Sequence, residues 1–206
     1  MTRGRLITVE GLDGAGKTTL VEALADALPR DVTVLREPGG VELSERIRAL
    51  VKDPVLDVDP RAEALLYAAA RAQLVAERLD PLLAAGKWVL LDRFVDSSLA
   101  YQGAGRGLGV EEVRALNLFA TGGLTPDRTL LLRIDAAAGL ERAGRRSDGT
   151  DRLEREERAF FEAIGAAYEA LAAAEPERFV VIDAAQEPHA VLADSLAALQ
   201  PLLQVS

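Results

Sequence analysis

The chain has 206 residues, 49% of them hydrophobic, a formal net charge of −9 at pH 7 and no cysteine. That length supports one substantial core and one domain over 1–206. The acidic balance argues against a broad nucleic-acid-binding face, and the missing thiols exclude disulfides and thiolate metal sites. No apolar run approaches the length of a membrane span. Met1-Thr2-Arg3-Gly4-Arg5 leads directly into the first strand and leaves no room for a signal peptide, so a cytoplasmic protein is expected.

The first strand, Leu6–Glu10, is a short β-branched run. It is followed by Gly11-Leu12-Asp13-Gly14-Ala15-Gly16-Lys17-Thr18, which fits the pattern Gly, four residues, Gly-Lys-Ser/Thr. Next comes Thr18–Leu28, with Leu20, Ala23, Leu24, Ala27 and Leu28 at helical spacing. Strand, glycine loop and helix thus come in the order needed to cradle a nucleotide's phosphates on backbone N–H groups and a helix N-terminus. Lys17 reaches the β- and γ-phosphates, and the Thr18 hydroxyl is placed for Mg²⁺. A plain glycine-rich turn packed on its own helix is the bland alternative.

Four further strands are expected at Val32–Arg36, Trp88–Asp92, Thr129–Ile134 and Phe179–Asp183. Their continuous apolar runs suit a parallel sheet covered on both faces. Helical stretches lie between them: Glu42–Val51, Pro60–Ala85 with Pro81 as a kink or break, Val110–Thr121, Ala136–Arg146, Leu153–Ala174 and Glu187–Leu203. The pattern predicts a doubly wound α/β fold with a five-stranded parallel sheet and ligands at the strands' carboxyl ends.

The second strand ends in Arg36-Glu37-Pro38-Gly39-Gly40, either the edge of a site or a simple turn. Arg46 and Arg48, two apart on a helix, cannot share a face, so one can enter a cleft while the other is solvated. Asp92 closes an apolar strand where a P-loop enzyme holds Mg²⁺, and Arg93 beside it suits bidentate phosphate contact. Taken alone, Asp92 is equally an ordinary strand-end cap.

After the fourth strand, Arg142, Arg145, Arg146 and Arg152 concentrate positive charge in an acidic chain. A flexible arginine-bearing lid over about 142–153 can close over ATP and stabilise the charge of the transferring phosphoryl group. The alternative is a solvated helix end paired with Glu141, Glu154 and Glu156. His189, the only histidine, reads as surface; Trp88 and Phe160-Phe161 read as core.

A P-loop specifies a nucleotide, not a reaction. A GTPase switch needs an Asn-Lys-x-Asp guanine reader, and the only asparagine is Asn117, in Leu-Asn-Leu. Motor and transport ATPases usually carry further domains. A small-molecule kinase needs two phosphate-binding regions and a lid, which the arginines at 36, 48, 93 and 142–152 can supply.

Five segments, in order and spacing, resemble the bacterial thymidylate kinases. They are Val9-Glu10-Gly11-Leu12-Asp13-Gly14-Ala15-Gly16-Lys17-Thr18-Thr19, Arg36-Glu37-Pro38-Gly39-Gly40, Tyr67-Ala68-Ala69-Ala70-Arg71, Asp92-Arg93-Phe94 and Ala100-Tyr101-Gln102-Gly103. The resemblance implies a P-loop nucleoside monophosphate kinase that converts dTMP to dTDP with ATP and Mg²⁺, and a homodimer. It implies that Gly11 to Thr19 bind ATP, with metal at Thr18 and Asp92. It implies catalytic roles for Lys17, Arg93 and lid arginines 145, 146 and 152. For the acceptor it implies Asp13 at the sugar 3′-OH, Arg48 and Arg93 on the phosphate, and Tyr67 stacked on thymine. Arg71 then donates to a base carbonyl, and Tyr101 lies against C2′, where it disfavours a ribose hydroxyl. Glu37, Pro38, Ser97, Ser98 and Gln102 complete that set. Without the family, Tyr67 and Arg71 read as a core aromatic and a solvated arginine. The third variable loop position is Gly14 rather than an arginine, so a catalytic arginine must come from the lid. The adenine pocket is expected near Ala184-Ala185-Gln186. Another nucleotide or nucleoside acceptor, or an ATP-holding module without transfer, are the competing functions.

Overall fold

The computed structural model of the chain describes residues 3–144, 156 and 158–204. In chain order these form β1 (Leu6–Gly11), α1 (Lys17–Ala27), β2 (Val32–Arg36), α2 (Glu42–Lys52) and α3 (Pro60–Leu74). A π-helical turn (Val75–Leu79) leads into α4 (Asp80–Ala84), β3 (Trp88–Asp92) and α5 (Val95–Ser98). A second π-helical segment (Leu99–Gly105) precedes α6 (Val110–Thr121), β4 (Arg128–Arg133) and α7 (Ala136–Gly144). The chain then gives α8 (Arg158–Ala174), β5 (Phe179–Asp183) and α9 (Pro188–Gln204).

The five strands make one parallel sheet in the order β2-β3-β1-β4-β5. Alternation along each apolar strand feeds two cores. On one face Val89 and Leu91 pack with Leu74, Val75, Leu79 and Leu83; on the other Leu90 joins Leu20, Val21 and Leu24. Central β1 is buried throughout, as a strand covered by helices on both sides must be. It lies between β3 and β4, so the crevice outside its carboxyl end is the topological switch point where such sheets bind ligands. The register sets Val9 opposite Asp92, which brings the ends of β1 and β3 level beneath that crevice.

The predicted strands match the observed ones within one residue. Two helical details differ. The stretch from Pro60 stays helical to Ala84, but its hydrogen bonding widens to π geometry over Val75–Leu79. Pro81 cannot donate a backbone hydrogen bond, so the wider turn before it absorbs the missing bond without breaking the helix. The helical segment Val95–Gly105 has no counterpart among the sequence expectations. Its serines and glycines give it weak helix propensity, and packing against α6 and α8 holds it instead.

Candidate active site

The P-loop joins β1 to α1 through Gly11, Gly14 and Gly16, all with positive φ. Gly11 is required sterically: at φ 140°, an added Cβ would lie 2.5 Å from the Leu132 carbonyl oxygen. α1 begins with no side-chain cap at Gly16 and no acidic residue in its first turn. Its leading N–H groups and positive dipole end therefore remain for an anion. Gly139 of α7 packs against the same loop so closely that a Cβ would come within 2.8 Å of the Asp13 carbonyl oxygen.

Lys17 is buried and its Nζ donates to the Leu12 carbonyl at 2.7 Å. Burial and the Arg93 charge bring its pKa down to about 8, against the opposing pull of Asp13, Asp92 and Glu10. Thr18 Oγ1 donates to Asp92 Oδ2 at 2.8 Å, so the two oxygens expected to serve a metal meet at the loop's rim.

Arg93 has φ 70°, the only non-glycine residue with positive φ among the described residues. A side chain kept in that sparsely populated region marks a functional turn. Its NH1 donates to the Gly11 carbonyl and to Ser97 Oγ, both at 3.1 Å, and its NH2 to Asp13 Oδ1 at 2.5 Å. The Tyr101 hydroxyl donates to Asp13 Oδ2 at 2.8 Å. Burial alone would raise the Asp13 carboxyl, but Arg93, Lys17 and the Tyr101 hydroxyl together hold it well below the usual carboxylate range. Asp13 is thus a permanent anion turned toward Arg93 and Tyr101; it does not cap α1.

On the far wall Arg71 is 2% exposed, which corrects the solvated arginine read from sequence alone. Its guanidinium is committed on every side. Nε donates to Glu37 Oε2 at 2.7 Å, NH1 to Ser98 Oγ at 2.9 Å and to Asn117 Oδ1, and NH2 to the Phe94 carbonyl at 3.0 Å. Burial raises the Glu37 carboxyl, opposed by Arg71. Gln102 Nε2 donates to the buried Glu63, which also takes two bonds from Arg106. Arg48 donates to the Pro38 carbonyl at 3.0 Å, while Arg46 is exposed and pairs with Glu42.

A single cleft of about 540 Å³ opens between these elements. Of the predicted P-loop residues, Asp13, Gly14, Gly16, Lys17, Thr18 and Thr19 face it; Gly11, Leu12 and Ala15 lie behind. Asp92 and every predicted acceptor residue line it too: Glu37, Pro38, Arg48, Tyr67, Arg71, Arg93, Ser97, Ser98, Tyr101 and Gln102. Arg145, Arg146 and Arg152 lie outside the described residues. Sequence reasoning missed Lys52, which shares the cleft, and Arg142 as an individual contact: it lines the cleft and donates to the Ala184 carbonyl at 3.0 Å. It also missed Glu10. This carboxylate is fully buried, and burial and Asp96 push it up to about 7 against the Ser97, Arg93 and Phe94 N–H contacts. An acid inside an apolar strand was the available signal.

A phosphate cradle at the central strand, with a second cation-lined recess opening into the same cleft, defines a P-loop nucleoside monophosphate kinase. Comparison with known proteins narrows the class. The family model for thymidylate kinase matches residues 9–194. The chain is 50% identical over 199 residues to the thymidylate kinase of Latilactobacillus sakei, covering 94% of this chain and 93% of that one. It is 48% identical over 202 residues to that of Deinococcus radiodurans, covering 97% and 98%. The crystal structure of thymidylate kinase from Ehrlichia chaffeensis superposes with a TM-score of 0.78 at 28% identity, covering 96% of this chain and 99% of that one. The chain belongs to the thymidylate kinase family; it is a dTMP kinase that uses ATP and yields dTDP.

Proposed function

We propose that the chain makes dTDP for dTTP synthesis in the cytoplasm, as a Mg²⁺-dependent homodimer of single-domain subunits with the residue roles below. The observation that carries the site assignment is the Arg93–Asp13–Tyr101 cluster, which puts a phosphate-binding cation beside a permanent anion and an aromatic hydroxyl. In this reading ATP lies along the P-loop, with Arg142 and the Ala184 carbonyl toward the adenine. dTMP occupies the recess between Tyr67, Arg71 and Tyr101, its phosphate between Arg48 and Arg93. Arg71 can serve a base carbonyl only by sharing a donor it now gives to protein. Asp13, repelled by the ATP phosphates, is free to accept from the acceptor's 3′-OH. The attacking oxygen belongs to a phosphate that is already anionic, so no general base is needed. Lys17, Arg48, Arg93 and the lid arginines offset the repulsion between two polyanions and hold the reacting oxygens in line. Turnover with ATP, Mg²⁺ and a panel of nucleosides and monophosphates tests this. dTMP is expected to give the fastest ADP release, and preference for another acceptor would overturn it.

Thr18 and Asp92 suit Mg²⁺, which binds few protein oxygens and completes its shell with water and phosphate. Among the described residues there is no group of three or more His, Cys, Asp or Glu that would cage a different ion. When bound, the ion neutralises charge on the β- and γ-phosphates. Asp92→Asn is expected to raise the Mg²⁺ concentration for half-maximal rate by about tenfold; an unchanged requirement would remove Asp92 from that role.

Tyr101→Ala is expected to relax discrimination against ribonucleotide acceptors such as UMP, read as the ratio of kcat/KM for dTMP and UMP. An unchanged ratio would count against Tyr101 as the group facing C2′. The homodimer reading has a surface to rest on. Leu43 and Leu50 of α2, Leu65 of α3, and Leu118 and Phe119 of α6 are exposed on helices that pack side by side, Phe119 at 90%. Phe119→Asp is expected to shift the mass in solution from dimer to monomer by light scattering; a monomeric parent would dispose of the idea.

A further inference from the structure

Three consecutive residues of β1 converge on Arg93. The Val9 carbonyl accepts the Arg93 backbone N–H at 3.1 Å, and the Gly11 carbonyl accepts its NH1 at the same distance. Between them, Glu10 points its side chain at the residues that follow Arg93. Its Oε1 accepts the Phe94 N–H at 2.7 Å, and its Oε2 accepts the Ser97 hydroxyl at 2.6 Å and the Tyr168 hydroxyl at 2.9 Å. Ser97 Oγ in turn accepts from Arg93 NH1 at 3.1 Å. Glu10 itself is 0% exposed and does not line the cleft, so it acts on no substrate directly.

We propose that Glu10 is a positioning residue: it holds Arg93 in its strained, cleft-facing conformation through the Phe94 N–H and Ser97 Oγ. The direction of the hydrogen bonds explains why a carboxylate stands there. When ionised, the Glu10 carboxylate only accepts, so Ser97 then spends its one proton on it and turns its lone pairs to Arg93. A glutamine of the same shape presents an N–H₂ toward Ser97, which must then accept from it; the freed hydroxyl proton competes with the Arg93 guanidinium. The Phe94 bond matters separately. It pins the residue after Arg93, so a backbone with φ 70° is fixed on both sides by one strand.

The inference rests on Arg93 as a dTMP-phosphate ligand, and the test separates the two. Steady-state kinetics are measured with each substrate varied for Glu10→Gln, Ser97→Ala, their double variant and Arg93→Lys. Glu10→Gln is expected to lower kcat/KM for dTMP by about tenfold or more while KM for ATP stays within about twofold. The double variant is expected to be no worse than about twofold beyond the weaker single, because the two act along one chain. A folded Glu10→Gln enzyme with unchanged dTMP kinetics, equal losses for both substrates, or fully additive losses would overturn the proposal. Loss in Arg93→Lys without loss in Glu10→Gln removes only the Glu10 link; unchanged dTMP kinetics in Arg93→Lys removes the reading of Arg93 and the inference with it. Should Glu10→Gln fail to fold, Ser97→Ala and Tyr168→Phe decide. Both cut one bond to the same carboxylate; the Tyr168 hydroxyl also touches Ser97 Oγ at 3.0 Å, but only Ser97 reaches Arg93, so Ser97→Ala is expected to show the larger dTMP-selective loss. The opposite order overturns it.

Discussion

Lys17→Ala is expected to lower kcat by about 10²-fold or more, the scale of a lost electrostatic contact to a transition state. The side chain is buried between the P-loop and the cleft, where its charge is worth much more than in water. Burial and Arg93 have drawn its pKa down to about 8. An ATP polyphosphate beside it pushes the value back up, so the cation is strengthened where it is needed. Because the charge develops on the transferring group, KM for dTMP should change little. Single-turnover measurement of ADP formation reads the chemical step directly. Near-normal turnover in the folded variant would take Lys17 out of the mechanism.

Arg71→Met is expected to cost about 3–5 kcal/mol of stability, the range for breaking a buried ion pair from one side. The variant strands Glu37, whose Oε1 has no hydrogen-bond partner among the described residues, together with the Ser98 hydroxyl, the Asn117 amide oxygen and the Phe94 carbonyl. The loss has a pH signature. Burial already raises Glu37 above its ordinary 4.5, and without Arg71 nothing opposes it. The folded state then holds the Glu37 proton more tightly than the unfolded chain. Stability of the variant therefore falls as pH rises from 4.5 toward the raised value, and it recovers in acid. Urea unfolding at about pH 5 and about pH 8 reads the difference; an equal loss at both would show that the ion pair is not its source. Adding Glu37→Leu is expected to return much of the stability, since a buried pair replaced by apolar groups is often neutral, while dTMP binding stays impaired.

What could be read from sequence was whatever local spacing encodes. The P-loop, Asp92 with Arg93, and the five apolar strands each declare themselves within a few residues, and the fold places them as expected. Spacing alone did not place Arg71 in the site, although the family resemblance did, because its burial depends on Glu37, 34 positions away, and on Asn117, 46 positions away. No helical periodicity reports such a pairing. The Val95–Gly105 segment escaped for a related reason: its shape is imposed by α6 and α8, against weak propensity of its own. Arg142 was legible as a charge near a lid, but its contact with the Ala184 carbonyl joins α7 to the turn after β5, which meet only in the folded chain. Glu10 was visible as an acid in an apolar strand, and its meaning emerged only with the turn it supports.

The central claim is that two nucleotides lie end to end in one cleft, their phosphates meeting over Lys17 and Arg93. Calorimetry with adenosine and thymidine joined by a pentaphosphate bridge tests it most directly. One molecule should bind per subunit, at least about 100-fold more tightly than dTMP alone, and displace both ATP and dTMP. Binding no tighter than either nucleotide, or displacement of only one of them, would contradict the account.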